Sequence, residues 1–226
     1  MTTSPASFAN PDLVARVAAN LADVQRRITS SGRDLASVRV VAVTKTFGAD
    51  AVVAAAMNGL THVGENYVDE LCAKREASTD VSLTWHFLGA VQSNKIKRIV
   101  ACADVVCGVT RAKEFERLAT LAPERRCYVE VDFTNEASRH GVPERDVAAL
   151  VARGRALGVN VQGLMTVAPR DARDARRAFG AIDTLCNDLG LVERSMGMSD
   201  DLELACELGT TEVRIGRALF GARVAR

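Results

Sequence analysis

One lysine of this chain stands apart by its setting. Of the 29 basic side chains, only five are lysines, and Lys45 alone continues a buried-looking apolar run, in VAVTKTFGA. Lys74, Lys95, Lys97 and Lys113 fall in segments that read as helix or loop, where a solvated amine is expected. A lysine held among apolar neighbours loses stabilisation of its charged form, so its pKa falls and its neutral amine becomes a nucleophile toward an aldehyde or ketone. The other reading is a stem that runs along apolar surface and delivers its ammonium to solvent.

A second group of chemistry-bearing residues lies near the C-terminus. SMGMSDD, residues 195–201, places Gly197 and Ser199 after one predicted strand, with Ser199 as N-cap of the next helix. VRIG, residues 213–216, places Gly216 after the following strand, with Arg214 inside it. Glycine amides and a helix N-terminus between adjacent strand ends are a common phosphate site in barrels. Read singly, these are turn residues. Read with a strand-end lysine, they suit an aldehyde that carries a phosphate. Nothing announces a metal. Cys72, Cys102, Cys107, Cys127, Cys186 and Cys206 form no CxxC, and His62, His86 and His140 are scattered between them. The cysteines are therefore expected to be small buried hydrophobes of a reduced protein.

Such residues act only if the chain brings them together. Asn10 is a good N-cap and Pro11 suits a first helical position; apolar residues then recur at helical spacing from Leu13 to Ile28, and Ser30-Ser31-Gly32 ends the helix. Residues 38–43, VRVVAV, read as a strand buried on both faces. Further strands are predicted over 61–63, 84–88, 104–107, 127–131, 159–164, 192–196 and 212–215. Helical stretches are predicted over 49–57, 66–77, 94–100, 111–121, 144–157, 171–189 and 200–208. Eight strands, each but the last followed by a helix, require parallel pairing with helical crossovers. The expectation is a single-domain (β/α)8 barrel over residues 1–226, with an extra N-terminal helix and residues 1–9 disordered. An open doubly wound sheet is the alternative, but no GxGxxG follows the first strand.

Composition narrows the class. The chain is 48% hydrophobic and 25% charged with a net charge of +1, which excludes a disordered chain and gives no general electrostatic reason to bind nucleic acid or anionic membrane. No stretch reaches the roughly 18 consecutive apolar residues of a membrane span. MTTSPASFANPD has neither the basic start nor the apolar run of a secretory signal, so a cytoplasmic location is expected.

The blocks VAVTKTFGA, GENYVDEL, WHFLGAVQSNKIK, TNEASRHGV, GLMTVAP and SMGMSDDLELACELGTTEVRIGRALFG follow one another in this order along the chain. Together they resemble the pyridoxal phosphate homeostasis protein family, whose members are similar to the N-terminal barrel of alanine racemase. The resemblance implies an α/β fold, a TIM barrel of the alanine racemase N-terminal type. It implies pyridoxal 5′-phosphate (PLP) as an internal aldimine on Lys45, its phosphate on Ser199 and the backbone amides of Gly216 and Arg217, and Arg214 facing the pyridine nitrogen. Asn66, His86 and Met165, in the matching blocks, are carried into the cofactor site on the same ground. Two departures stand out: Phe47 occupies a position where the family often has a lysine or other polar residue, and the segment between Met165 and Ser195 is shorter than in many relatives.

What the resemblance implies for function is intracellular PLP homeostasis: storage of the cofactor, or its transfer to PLP-dependent apo-enzymes, by a monomer or weak dimer without robust catalysis. Racemases of this fold use a second base, a tyrosine from a further domain of the partner subunit. Here the predicted barrel takes up the whole chain, and Tyr67 and Tyr128 are its two tyrosines. An arginine at the pyridine nitrogen also opposes its protonation and weakens the electron sink. A weak PLP-dependent racemase or lyase is the second reading, and a lysine aldolase acting on sugar phosphates the third.

Overall fold

The computed structural model describes residues 10–134, 136 and 139–222. The first nine residues, expected to be disordered, lie outside the described residues. Helix α1 (Pro11–Ser30) begins where the sequence places it, with the Asn10 side chain accepting from the amides of Asp12 and Leu13. Its apolar face, Leu13, Val17, Leu21, Val24 and Ile28, is buried. Each such aliphatic side chain removed from water contributes about 1.5–3 kcal/mol.

Strand–helix units follow: β1 (Arg39–Val43), α2 (Ala49–Met57), β2 (His62–Glu65), α3 (Val68–Ala77), β3 (Thr84–Phe87), α4 (Ile96–Cys102), β4 (Val105–Val109) and α5 (Ala112–Leu121). The second half comprises β5 (Arg126–Asp132), β6 (Val142–Pro143), α6 (Val147–Ala156), β7 (Val161–Thr166), α7 (Ala172–Leu189), β8 (Glu193–Ser195), α8 (Leu202–Glu207), β9 (Glu212–Ile215) and α9 (Arg217–Phe220). The strands run in the order β4-β3-β2-β1-β9-β8-β7-β5, and a β4–β5 pairing closes the ring. Every pairing is parallel. The eight-stranded barrel is therefore the architecture, not the open sheet. Helix α1 packs outside it against α2, α8 and α9.

The departures from expectation are local. The two-residue β6 pairs with the end of β5, Val131 opposite Val142, too short to carry a period of its own. A 3-10 turn over Glu144–Asp146 precedes α6, and one turn of helix, α9, follows the last strand. The short segment before β8 still holds an 18-residue helix, α7, capped by Asp171, whose side chain accepts from the amides of Arg173 and Asp174.

The cysteine expectation is corrected. Cys107, Cys127, Cys186 and Cys206 are buried free thiols, but Cys72 and Cys102 form a disulfide with a Cα–Cα distance of 5.3 Å. They sit on α3 and at the end of α4, helices that pack side by side, 30 residues apart in sequence. A pair made by tertiary packing leaves no short spacing to read.

The barrel interior is unlike the layer between strands and helices. Outside the strands the core is aliphatic and aromatic. Inside, a small apolar group of Val105, Cys107, Tyr128 and Met165 shares the space with buried His86, Glu130, Ser195, Glu212 and Arg214. Burying so many polar groups is costly unless each finds a partner.

Candidate functional site

A cavity of about 590 Å³ opens at the C-terminal ends of the strands. Seven of the eight expected site residues line it: Lys45, Asn66, Met165, Ser199, Arg214, Gly216 and Arg217. They arrive from the ends of five strands, β1, β2, β7, β8 and β9, or the loops after them, as a barrel arranges its site.

Lys45 lies two residues beyond β1, half-buried, in a tight turn. Thr44 extends the sheet, its amide donating to the Gly64 carbonyl at 3.1 Å, and the Phe47 amide donates back to the Thr44 carbonyl at 3.0 Å. Between them Thr46 adopts φ of 70°, a left-handed conformation that a β-branched residue rarely takes. Phe47, beside the lysine, packs its ring against Phe220 of α9 at 5.3 Å.

Beneath this turn the expectation for Lys74 fails. Lys95, Lys97 and Lys113 are exposed, whereas Lys74 is only 6% exposed. Its ammonium donates to the Thr44 carbonyl at 2.7 Å, to Glu65 Oε1 at 2.7 Å and to Glu70 Oε2 at 3.3 Å. Helical periodicity marks Lys74 as a surface position, and the two carboxylates that neutralise it come together only in the folded chain.

The opposite wall carries the anion-binding candidates. Ser199 Oγ accepts from the Ala218 amide at 3.1 Å, which sets it against the first turn of α9. Its carbonyl is held by Arg27 of α1 at 2.9 Å, and Arg27 is itself paired with Glu203 at 2.6 Å. Ser199 is not the cap of α8; Asp201 occupies that position, and its carboxylate accepts from the Met198 amide. Gly197 turns the chain with φ of 97° and sits where a Cβ would lie 2.5 Å from Ala205. At Gly216 a Cβ would meet the Val43 carbonyl at 3.1 Å, so the backbone there runs close to the end of β1. Arg217 pairs with Asp200 at the mouth.

Arg214 forms the floor. Its Nη1 donates to the Ser195 carbonyl at 2.6 Å and to Ser195 Oγ at 2.9 Å, while Nη2 donates to the Thr166 carbonyl at 2.7 Å. Burial pulls its pKa below the usual arginine range, with Glu212 acting against the shift. An arginine remains charged through shifts of this sense.

Glu130 and His140 also line the cavity, and neither was singled out in the sequence. Burial pushes the Glu130 carboxyl up to about 7, with Arg214 opposing. Its signal was available: in the strand CYVEV the two-residue alternation that turns Tyr128 inward turns Glu130 inward as well.

His86 is the expected site residue that the cavity does not receive. Two positions before Leu88 on the same face, it lies one layer deeper, fully buried. Its Nε2 meets His62 Nδ1 at 2.9 Å, and its Nδ1 lies 3.7 Å from both Cys107 Sγ and Glu212 Oε2. Glu212 also accepts from Ser195 Oγ at 2.7 Å and pairs with Arg39 at 3.2 Å. Burial lowers His86 to about 3 and His62 to about 4, so both are neutral at physiological pH. His86 thus belongs to a polar network that supports Arg214 through Ser195 and Glu212.

Known proteins match this arrangement along nearly its whole length. The sequence pattern of the family described as alanine racemase, N-terminal domain, covers residues 14–224. A protein of Pseudomonas aeruginosa named pyridoxal phosphate homeostasis protein is 41% identical over 221 residues, 92% of this chain and 96% of its own length. The structure of PipY from Synechococcus elongatus, solved with PLP bound, superposes with a TM-score of 0.79 at 31% identity, covering 91% of this chain and all of that one. An alanine racemase from Corynebacterium glutamicum shares the fold with a TM-score of 0.69 at 17% identity, this chain covering 62% of it. With a strand-end lysine, a serine set on a backbone amide and a buried arginine around one cavity at the barrel mouth, and with relatives of this identity and coverage, the chain belongs to the pyridoxal phosphate homeostasis protein family.

Proposed function

We propose that this protein binds PLP in the barrel-mouth cavity and serves its homeostasis, as a store or donor of the cofactor. The observation that carries this is that Lys45 and the Ser199–Gly216 turn line the same cavity, an amine at one wall and anion-binding groups at another. What the group supplies when bound is an aldehyde, whose carbon takes the lysine nitrogen with loss of water. Lys45 provides that nitrogen. Ser199 Oγ and the backbone at Gly216 and Arg217 hold the phosphate, and Asn66 and Met165 confine the ring. Arg214, pinned by two carbonyls and a hydroxyl, presents a fixed cation to the ring nitrogen and opposes its protonation.

Support for a carrier over a catalyst comes from the tyrosines. Tyr67 is 58% exposed, Tyr128 is buried in the barrel interior, and neither lines the cavity. Among the described residues no tyrosine stands ready as a second base. The bound cofactor would therefore be chemically quiet, to be retained or passed to PLP-dependent apo-enzymes inside the cell.

Borohydride reduction of the PLP-loaded protein, followed by peptide mapping, tests the reading. The pyridoxyl label is expected on the peptide containing Lys45, and Lys45→Ala is expected to abolish it while leaving noncovalent, phosphate-dependent binding. A label found chiefly on exposed Lys95 or Lys97 overturns the assignment.

A further inference from the structure

The turn that presents Lys45 is held by more than its own Phe47–Thr44 hydrogen bond. The carbonyl of Thr44, on one side of the lysine, accepts from Lys74 Nζ at 2.7 Å. The amide of Thr46, on the other side, donates to Glu70 Oε2 at 2.9 Å. Those two partners are joined to each other at 3.3 Å, one helical turn apart on α3. Glu65, fully buried at the end of β2, completes the group: its Oε1 takes both Lys74 Nζ at 2.7 Å and the Thr44 hydroxyl at 2.5 Å. One cation and two carboxylates from the neighbouring strand–helix unit thus grip both peptide groups that flank the lysine.

We propose that Lys74, Glu65 and Glu70 are positioning residues that aim Lys45 into the cavity by clamping Thr44 and Thr46 in their strained turn. The inference rests on the reading of Lys45 as the PLP-bearing residue. Three observations favour a clamp over an incidental ion pair. First, the contacts go to backbone groups on both sides of Lys45, which fixes the direction of its Cα–Cβ bond. Second, Thr46 sits at φ of 70°, a conformation that persists only where the surroundings over-determine it. Third, an ammonium 8% exposed and a carboxylate 0% exposed are desolvated. Replacing such a pair by apolar side chains is often neutral or stabilising, so fold stability alone is a poor reason for it.

The test compares wild type with Lys74→Met, Glu70→Ala and Glu70→Gln. Two readouts are needed: the rate at which Lys45 becomes fixed by borohydride in the presence of PLP, and hydrogen exchange at the Thr46 amide without any cofactor. Circular dichroism and equilibrium dialysis with PLP report fold and total binding. Lys74→Met and Glu70→Ala should slow fixation at Lys45 about tenfold or more, as a misaimed reacting group does. Glu70→Ala should also speed exchange at Thr46. Glu70→Gln keeps an acceptor for that amide and should stay near wild type in both. Should Lys74→Met fail to fold, the Glu70 pair decides, since Glu70 is only half-buried and its loss leaves the Lys74–Glu65 bond in place. Wild-type fixation rates in Glu70→Ala overturn the clamp, and so does a Glu70→Gln variant as slow as Glu70→Ala. If wild type itself is labelled elsewhere than Lys45, the functional reading falls and the clamp with it, a result distinct from those.

Discussion

Ser199 is one hydroxyl whose worth can be stated. Its Oγ is fixed against the Ala218 amide, and its carbonyl is tied to Arg27, so it is preorganised before any anion arrives. Losing a hydrogen bond to a charged acceptor costs roughly 1.5–3 kcal/mol, and Ser199→Ala should therefore weaken PLP binding about tenfold or more in a titration. Unchanged affinity would move the phosphate elsewhere. Glu130 makes a prediction of the opposite kind, about the protein without ligand. Its carboxyl is held up to about 7 against an ordinary value near 4.5. Between those values the folded state keeps a proton that the unfolded chain has lost, so this group's contribution to stability declines as pH rises from about 4.5 to about 7. Glu130→Gln removes the decline. Melting curves from pH 5 to pH 8 should show the variant gaining on wild type up to about pH 7 and levelling off above it, while the opposite slopes from His62 and His86 cancel in the comparison. Residues at strand tips were legible: Lys45, Ser199, Arg214 and Gly216 are types that such positions need to explain. Lys74 reads as a solvated amine because its partners come together only by tertiary packing, whereas Glu130 is marked by the alternation of its strand. His86 shows the limit of motif transfer, since it lies in the matching block but one layer below the cavity.

Elements were legible wherever periodicity was clean, as in α1 and α2, whose ends fall on Asn10, Ser31, Gly48 and Asn58. Ends in the loops that build the site were not. The strands after Thr61 and Asp104 run further toward the mouth than their apolar runs suggest, and Glu65 is strand rather than loop. A charged residue that closes a strand reads as loop until its buried partner is known. The Cys72–Cys102 disulfide belongs to this scale too, joining α3 to the end of α4 on the outside of the barrel. Neither cysteine lines the cavity. By chain entropy, a cross-link across 30 residues stabilises by about 3–4 kcal/mol, between the values for shorter and longer loops. Reduction with dithiothreitol should therefore lower the melting temperature by several degrees and leave PLP affinity within about twofold, since each tenfold in affinity requires 1.4 kcal/mol at the site itself. Loss of binding on reduction would mean that the α3–α4 contact reaches Lys45 through Lys74. An unchanged melting temperature would mean the bond does not form in solution.

At the scale of the whole molecule, the barrel does two things with one cavity. The polar interior fixes Arg214, and hydrogen bonds to Thr44 and Thr46 hold the turn that carries Lys45. At the rim, Arg217 and Asp200, on the neighbouring segments after β9 and β8, form an exposed ion pair, which contributes at most about 1 kcal/mol. Ligand present at about a hundred times its dissociation constant adds about 2.7 kcal/mol to the folded state, so loading should raise the melting temperature measurably. Release can then be followed by its loss. Offered an apo-transaminase, the loaded protein should restore transaminase activity as its own melting temperature falls back toward the unloaded value. Incubated with each common amino acid, it should leave chirality unchanged, because neither Tyr67 nor Tyr128 lines the cavity and, on the proposed reading, Arg214 would oppose protonation of the ring. Robust racemisation of any one amino acid, at turnovers of about 1 per second or more, would make the protein an enzyme and remove the argument from Arg214. Failure to load the apo-transaminase, with chirality preserved, would leave a protein that keeps the reactive aldehyde away from other amines and gives it up only to excess free amine.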